Sequence, residues 1–212
     1  DDKAGALAIS ARLRHRHIDT AADLLRGERL AQLQSAIHQE LDSLDDLLRG
    51  IAAVGELTER TNDLVVSFGE RLSSQMVAAA FEQRGLQGAH VDARTCIITD
   101  SHYGKAAPLE SAIEAKLAEI VLPLIAAGQT PVMGGFIGSN AEGITTTLGR
   151  GGSDYTAALV GGGLHAGAIE IWTDVNGSMT TDPRICPDAL RVKTSSFEEA
   201  AELAYFGAKV LH

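Results

Sequence analysis

The sequence predicts an α/β protein, a three-layer α/β/α sandwich around a mainly parallel sheet, with a helical segment at its N-terminus. Three observations predict it. Residues 3 to about 60 carry an almost unbroken helical pattern, short apolar runs then alternate with helical segments, and three of those runs end in glycine or polar loops. In an open parallel sheet the ligand site lies beyond the C-terminal strand ends, so the loops at Gly134-Gly135, Gly149 to Asp154 and Thr173-Asp174 are expected to converge.

Composition narrows the function. With 212 residues, 45% hydrophobic content and no apolar run of membrane-spanning length, the chain can bury a full core as one domain, read as residues 1–60 packed on a core of 61–212. A formal net charge of -10 argues against nucleic-acid binding, which needs clustered cations, and no membrane partner is expected. Cys96 and Cys186 are far apart and form no CxxC pair, so a disulfide framework or structural zinc site is unsupported and a reducing cytoplasm fits. The charged start, followed by Arg12, Arg14 and Arg16, does not read as a signal peptide.

In chain order, Leu30, Leu33, Ile37, Leu41, Leu44 and Leu48 recur at three- and four-residue spacing, giving a packing helix with one buried stripe. His15-Arg16-His17 reads as a solvated helix end, since adjacent helical positions do not converge. From Asp63 an apolar run leads through Phe68-Gly69-Glu70-Arg71 into an Ala-rich helix ending at Gln83; Glu70 is either an exposed helix acid or an inward carboxylate held for a cationic ligand. Short strands are expected at His90 to Ala93 and Thr95 to Thr99, then a helix from Leu109 to Ala127 kinked or broken at Pro123. Thr130 to Gly138 reads as a buried strand running into a glycine-rich loop, Ala168 to Thr173 as another strand, and Phe197 to Phe206 as a helix.

The most informative stretch is Thr145-Thr-Thr-Leu-Gly-Arg-Gly-Gly-Ser-Asp-Tyr-Thr156. It reads as a strand end, a glycine turn, and a helix capped by Ser153 and Asp154. Amides at a helix start, with the guanidinium of Arg150 beside them, suit a carboxylate or phosphate. No P-loop, Gly-x-Ser-x-Gly elbow or HExxH is present, and the GxGxxA match at Gly161 to Ala166 continues a helix, so close helix packing explains it better. The run Trp172 to Arg184 places Asp174 and Asp182 around an Asn176-Gly177 turn and presents Arg184, a set suited to a ribose, a base edge and phosphates. Lys209, near the C-terminus, is a point charge suited to a phosphoryl oxygen.

Together, Thr145 to Thr156, Trp172 to Arg184, Phe206 to His212, Phe68 to Ser73 and Gly135 to Gly138 resemble the signatures of aspartate kinase, in the amino-acid kinase superfamily. The resemblance runs from about Leu64 to the end, and more loosely over the helical first sixty residues. It implies the amino-acid kinase (carbamate kinase-like) sandwich and transfer of the γ-phosphoryl of MgATP to the side-chain carboxylate of L-aspartate, giving 4-phospho-L-aspartate, with ATP and Mg2+ as cofactors. It also implies that Arg150 clamps an aspartate carboxylate, Glu70 takes the ammonium, and Ser153 and Phe136 line the pocket. By the same carry-over, Asp154 orients the cationic groups, Lys209 stabilises the transferring phosphoryl, and Thr173, Asp174, Met179, Asp182 and Arg184 hold the nucleotide, Met179 standing where many relatives carry tyrosine. No protein side chain is expected to hold the metal, which the nucleotide carries. The family's Lys-Phe-Gly-Gly-Thr strand and its ACT domains have no counterpart in these 212 residues, so the chain alone is expected to be an inactive or nearly inactive fragment of a homodimeric cytoplasmic enzyme. Two other readings remain: an N-acetylglutamate or glutamate 5-kinase, and a non-catalytic assembly role using the Leu30 to Leu48 stripe.

Overall fold

Three helices account for the first 83 residues. The structure, a computed structural model, describes residues 2–172, 177–182 and 184–205. Helix α1 (Lys3–Leu24) is capped by the Asp2 carboxylate, which accepts from Gly5 N–H at 2.8 Å. Helix α2 (Gly27–Val54) ends at Gly55, whose φ of 76° lets its N–H turn back to the Ile51 carbonyl. Helix α3 (Glu59–Gln83) is capped by Thr58. The predicted α2 stripe is buried at Leu33, Ile37, Leu41 and Leu44, and it packs with Ala21 of α1, with Leu25 just after that helix, and with Phe68, Leu72 and Met76 of α3. Across this bundle Arg14 pairs with Asp42 at 2.9 Å and Asp45 at 3.1 Å, and Arg71 with Glu40 at 2.5 Å.

The α/β part follows α3. Strand β1 (Gly88–His90) pairs in parallel with β3 (Thr130–Val132). Strand β2 (Ile98–Thr99) pairs in parallel with β4 (Ile137–Asn140), and β5 (Thr145–Thr147) lies antiparallel to β4. The strands of the expected α/β fold are thus paired mainly in parallel and, among the described residues, fall into two small sheets with one antiparallel hairpin. Their apolar core gathers Val91, Ile97, Ile113, Leu117, Val121, Ile137 and Leu148.

Strand boundaries differ from the sequence reading for identifiable reasons. The chain leaves β1 early because the Asp92 carboxylate accepts from Arg94 N–H and caps a 3-10 turn at Ala93–Thr95, so Ala93 is not in a strand. The helix expected from Leu109 to Ala127 forms as α4 (Glu110–Lys116), a π-helical turn (Leu117–Val121) and α5 (Leu122–Ala126). Pro123 sits in the first turn of α5 and has no N–H to donate, and the turn before it widens so that Leu122 N–H reaches Leu117 O. The strand expected at Ala168 to Thr173 is absent over 168–172: a strand needs a paired neighbour, no described segment pairs with it, and Trp172 is 89% exposed.

Helix α6 (Gly152–Gly163) begins one residue before Ser153, with Gly151 at φ 76° as its cap and no side-chain cap bond. Ser153 and Asp154 are thus first-turn residues and not the cap. Two of the glycines late in α6 do serve close packing, since a Cβ on Gly163 would come within 2.8 Å of Leu117 Cδ1 and one on Gly161 would strike Ile169, whereas one on Gly162 would meet open space. Helix α7 (Phe197–Tyr205) closes the described residues.

Candidate active site

Helix α3 has two working faces, and the site begins on the second. Phe68, Leu72 and Met76 face the bundle, whereas Asp63, Ser67, Glu70 and Ser74, at i, i+4, i+7 and i+11, share a polar face turned toward the strands. Ser74 shows the direction: its Oγ lies 3.1 Å from His90 Nε2 at the end of β1. Neighbouring side chains on a helix diverge by about 100°, which is why Glu70 and Arg71 go separate ways. Arg71 lies 4.5 Å over the Phe68 ring and pairs with Glu40, while Glu70 stands against the glycine loop after β3.

That loop is clamped on both sides. A Cβ on Gly134 would lie 2.9 Å from both Glu70 Cβ and the Glu70 carbonyl oxygen; a Cβ on Gly135 would lie 2.8 Å from Ser153 Cα. Both obstacles include backbone, so neither position admits a side chain without moving α3 or α6. Phe136 follows at φ 70°, a left-handed conformation uncommon for an aromatic residue. It is held there by its N–H donating to Thr156 Oγ1 at 3.0 Å and its carbonyl accepting from Leu148 N–H at 2.9 Å. Its ring packs against Gly152, where a Cβ would lie 2.9 Å from Phe136 Cδ2.

Glu70, Phe136 and Ser153 therefore surround one pair of glycines. Contacts through consecutive Cα atoms put Glu70 and Ser153 no more than roughly 13 Å apart. Glu70 is half-buried, and desolvation raises its carboxyl above the ordinary 4.5. It is neither a freely exposed helix acid nor a fully buried one. Arg150 follows Gly149, which has φ 77°; it is exposed and bonded to no other described residue, so its guanidinium is available. Asp154 lies in the first turn of α6, whose amides carry no side-chain cap.

The nucleotide set is placed only in part. Thr173, Asp174 and Lys209 lie outside the described residues. Asp182 and Arg184 bind each other, the Arg184 guanidinium donating to both carboxylate oxygens at 2.6 to 3.2 Å and its N–H to Oδ1 at 2.9 Å. Met179 bridges to Arg191 in a local hairpin. Gly177 has φ 95°, as a turn there requires. Among the described residues no group of three His, Cys, Asp or Glu side chains could hold a metal ion. Cys96 and Cys186 are free thiols, and no helix is long and apolar enough to cross a membrane.

One residue of this region escaped the sequence reading. Asp63 is completely buried, and its carboxylate accepts from Gly104 N–H at 2.9 Å, Thr147 N–H at 3.0 Å and the Thr147 hydroxyl at 2.8 Å. The signal that could have found it is the spacing of seven to Glu70, which puts the two acids on one helix face.

A family model described as the amino acid kinase family matches residues 7–212. The chain belongs to that family. It is 38% identical to lysine-sensitive aspartokinase 3 of Escherichia coli over 224 residues, covering 97% of this chain and 50% of that protein. It is 41% identical to the chloroplastic aspartokinase 2 of Arabidopsis thaliana over 180 residues, covering 84% of this chain and 33% of that protein. Among solved structures, E. coli aspartokinase III in complex with aspartate and ADP superposes with a TM-score of 0.86 at 37% identity, covering 96% of this chain and 44% of that one. The chain thus spans half or less of the length of these relatives.

Proposed function

We propose that the protein containing this chain is an aspartate kinase, and that the chain supplies the acceptor half of its active site. The observation that carries this reading is the gathering of Glu70, Phe136 and Ser153 around a glycine loop that excludes side chains on both faces, with Arg150 exposed on the turn just before Ser153. An amino acid bearing two carboxylates and an ammonium matches that set, with Arg150 as a bidentate clamp for a carboxylate and Glu70 for the ammonium. Similarity to a protein whose structure holds aspartate and ADP supports the same choice of ligands.

In the proposed reaction an oxygen of the aspartate side-chain carboxylate attacks the γ-phosphorus of ATP; the bond to the β–γ bridging oxygen breaks, and ADP leaves with that electron pair. No proton is transferred. The protein's work is to position the reactants and balance negative charge. Arg150 and Glu70 fix the acceptor, Ser153 and Phe136 shape its pocket, and Asp154 orients the cationic groups. Thr173, Asp174, Met179, Asp182 and Arg184 hold the nucleotide, and Lys209 faces the phosphoryl group. Mg2+ bound to the triphosphate supplies further charge neutralisation.

Residues 1–60 belong, in this reading, to the same domain as 61–212, and the protein is a cytoplasmic homodimer. The assembly alternative is weakened because the leucine stripe of α2 is spent on internal packing with α1 and α3. Hydroxylamine trapping tests the proposal: the full-length protein should form a hydroxamate from ATP and L-aspartate, and none from N-acetylglutamate or glutamate. A hydroxamate formed only with one of the latter two acceptors would move the assignment to another kinase of the family.

A further inference from the structure

Two loops meet at the acceptor face, and one carboxylate ties both to α3. The first is the turn Gly149 to Gly152 with Arg150. The second, residues 100–107, is closed by Asp100, whose carboxylate accepts from His102 N–H at 3.1 Å and Ala107 N–H at 3.0 Å and is held below the ordinary carboxylate range by those amides. The loops touch: Ala106 N–H donates to Thr147 O at 2.8 Å, and a Cβ on Gly149 would lie 3.1 Å from Gly104 O and 3.3 Å from Lys105 Cγ. Beneath the contact, Asp63 Oδ2 accepts from Gly104 of one loop and from Thr147, two residues before Gly149, while Oδ1 accepts from the Thr147 hydroxyl.

We propose that Asp63 is the positioning residue of the acceptor site, fixing the Gly149–Arg150 turn and the 100–107 loop relative to the helix that carries Glu70. The inference rests on the kinase reading above for its kinetic form. Its physical basis is independent of that reading. Asp63 and Glu70 lie on the same face of one rigid helix, two turns apart, so the carboxylate that anchors Arg150's turn also sets its distance to Glu70. With no cation bonded to it among the described residues, the buried carboxylate depends on its three donors, and they depend on it. Removing it leaves Gly104 and Thr147 without their acceptor and frees the turn, whereas asparagine can keep both backbone bonds through its oxygen and donate to a rotated Thr147 hydroxyl.

The experiment uses the full-length protein and three variants, Asp63→Ala, Asp63→Asn and Thr147→Val, assayed well below their melting temperatures. Asp63→Ala should raise KM for aspartate about tenfold or more with KM for ATP moving less than about twofold, Thr147→Val should shift it in the same direction by less, and Asp63→Asn should recover most of the loss. Hydrogen exchange should quicken at residues 148–152 in Asp63→Ala and Thr147→Val before it quickens in α1 or α2. A parallel rise in both KM values, or an unchanged aspartate KM in Thr147→Val with unaltered exchange, overturns the proposal; if Asp63→Ala does not fold, Thr147→Val decides alone. A wild-type protein that makes no aspartyl phosphate sinks the kinase reading instead, and the exchange pattern still decides the role of Asp63.

Discussion

The acceptor side and the segment after α6 are built on opposite principles. On the acceptor side, α3, the Gly134–Phe136 loop, β5 and the start of α6 are joined by contacts between residues distant in sequence: Asp63 to Thr147, Glu70 to Gly134, Gly135 to Ser153 and Phe136 to Thr156. Among the described residues from 177 onward local bonds recur, with Thr180 N–H to Leu190 O, Val192 N–H to Ser178 O, and Asp182 to Arg184. Large apolar side chains after α6 meet solvent, Trp172 at 89% and Phe197 at 95% exposure. A site defined by long-range contacts fixes its groups in three dimensions, whereas a site read from a local motif fixes only a short peptide. This is why the acceptor geometry supports a chemical argument in this structure and the nucleotide geometry rests on the motif.

Four measurements would break or sharpen that contrast. The largest effect should come from Arg150→Ala, which removes an exposed guanidinium bonded to no other described residue; kcat/KM for aspartate should fall by about a hundredfold to a thousandfold with little change in melting temperature. A comparable loss of stability would mean that Arg150 holds the fold and not the ligand. Next, Gly135→Ala drives a methyl into the backbone of α6 and should cost about 1–3 kcal/mol in denaturant unfolding. Unfolding unchanged by that substitution would show the loop to be loosely held.

Glu70→Gln separates stability from binding. The raised pKa of Glu70 means that, in the free protein, native-state stability grows as pH falls through the raised value and this gain is complete below the ordinary 4.5; it is lost on the way back up. At neutral pH the ionised side chain is therefore a burden, so Glu70→Gln should melt higher than wild type at pH 7, with the difference vanishing below the ordinary value. Binding an ammonium needs the ionised form, so the same variant should weaken aspartate binding, a pairing of opposite effects that a merely structural acid would not give. The smallest effect should be Trp172→Ala in this chain, within about 0.5 kcal/mol, because the ring is almost wholly exposed. A loss of several times that size would reveal long-range packing in the segment after α6.

Much of the fold was legible because hydrophobic spacing is a local signal. The α2 stripe appears in the sequence and is buried as its spacing requires, and Thr145 to Thr147 form a strand before a glycine turn and a helix. Less legible were features that depend on remote neighbours. Ala168 to Thr173 has strand composition, yet the described part pairs with nothing, and composition carries no record of a partner. Ser153 and Asp154 look like a cap, but Gly151 in a left-handed conformation turns the chain first. Asp63 reads as an unremarkable acid near a helix start; its importance comes from Gly104 and Thr147, 41 and 84 residues away.

By itself the sequence determined which residues can form helices, which glycines break them, and which chemical groups the loops present, because propensity, periodicity and side-chain chemistry belong to short stretches of chain. Only the tertiary structure decided that Glu70 stands half-buried against Gly134, that Gly134 and Gly135 must lack side chains, and that a buried carboxylate joins two loops to one helix. Those outcomes depend on what lies across the gap from each residue, and that is set by the packing of segments far apart in the chain.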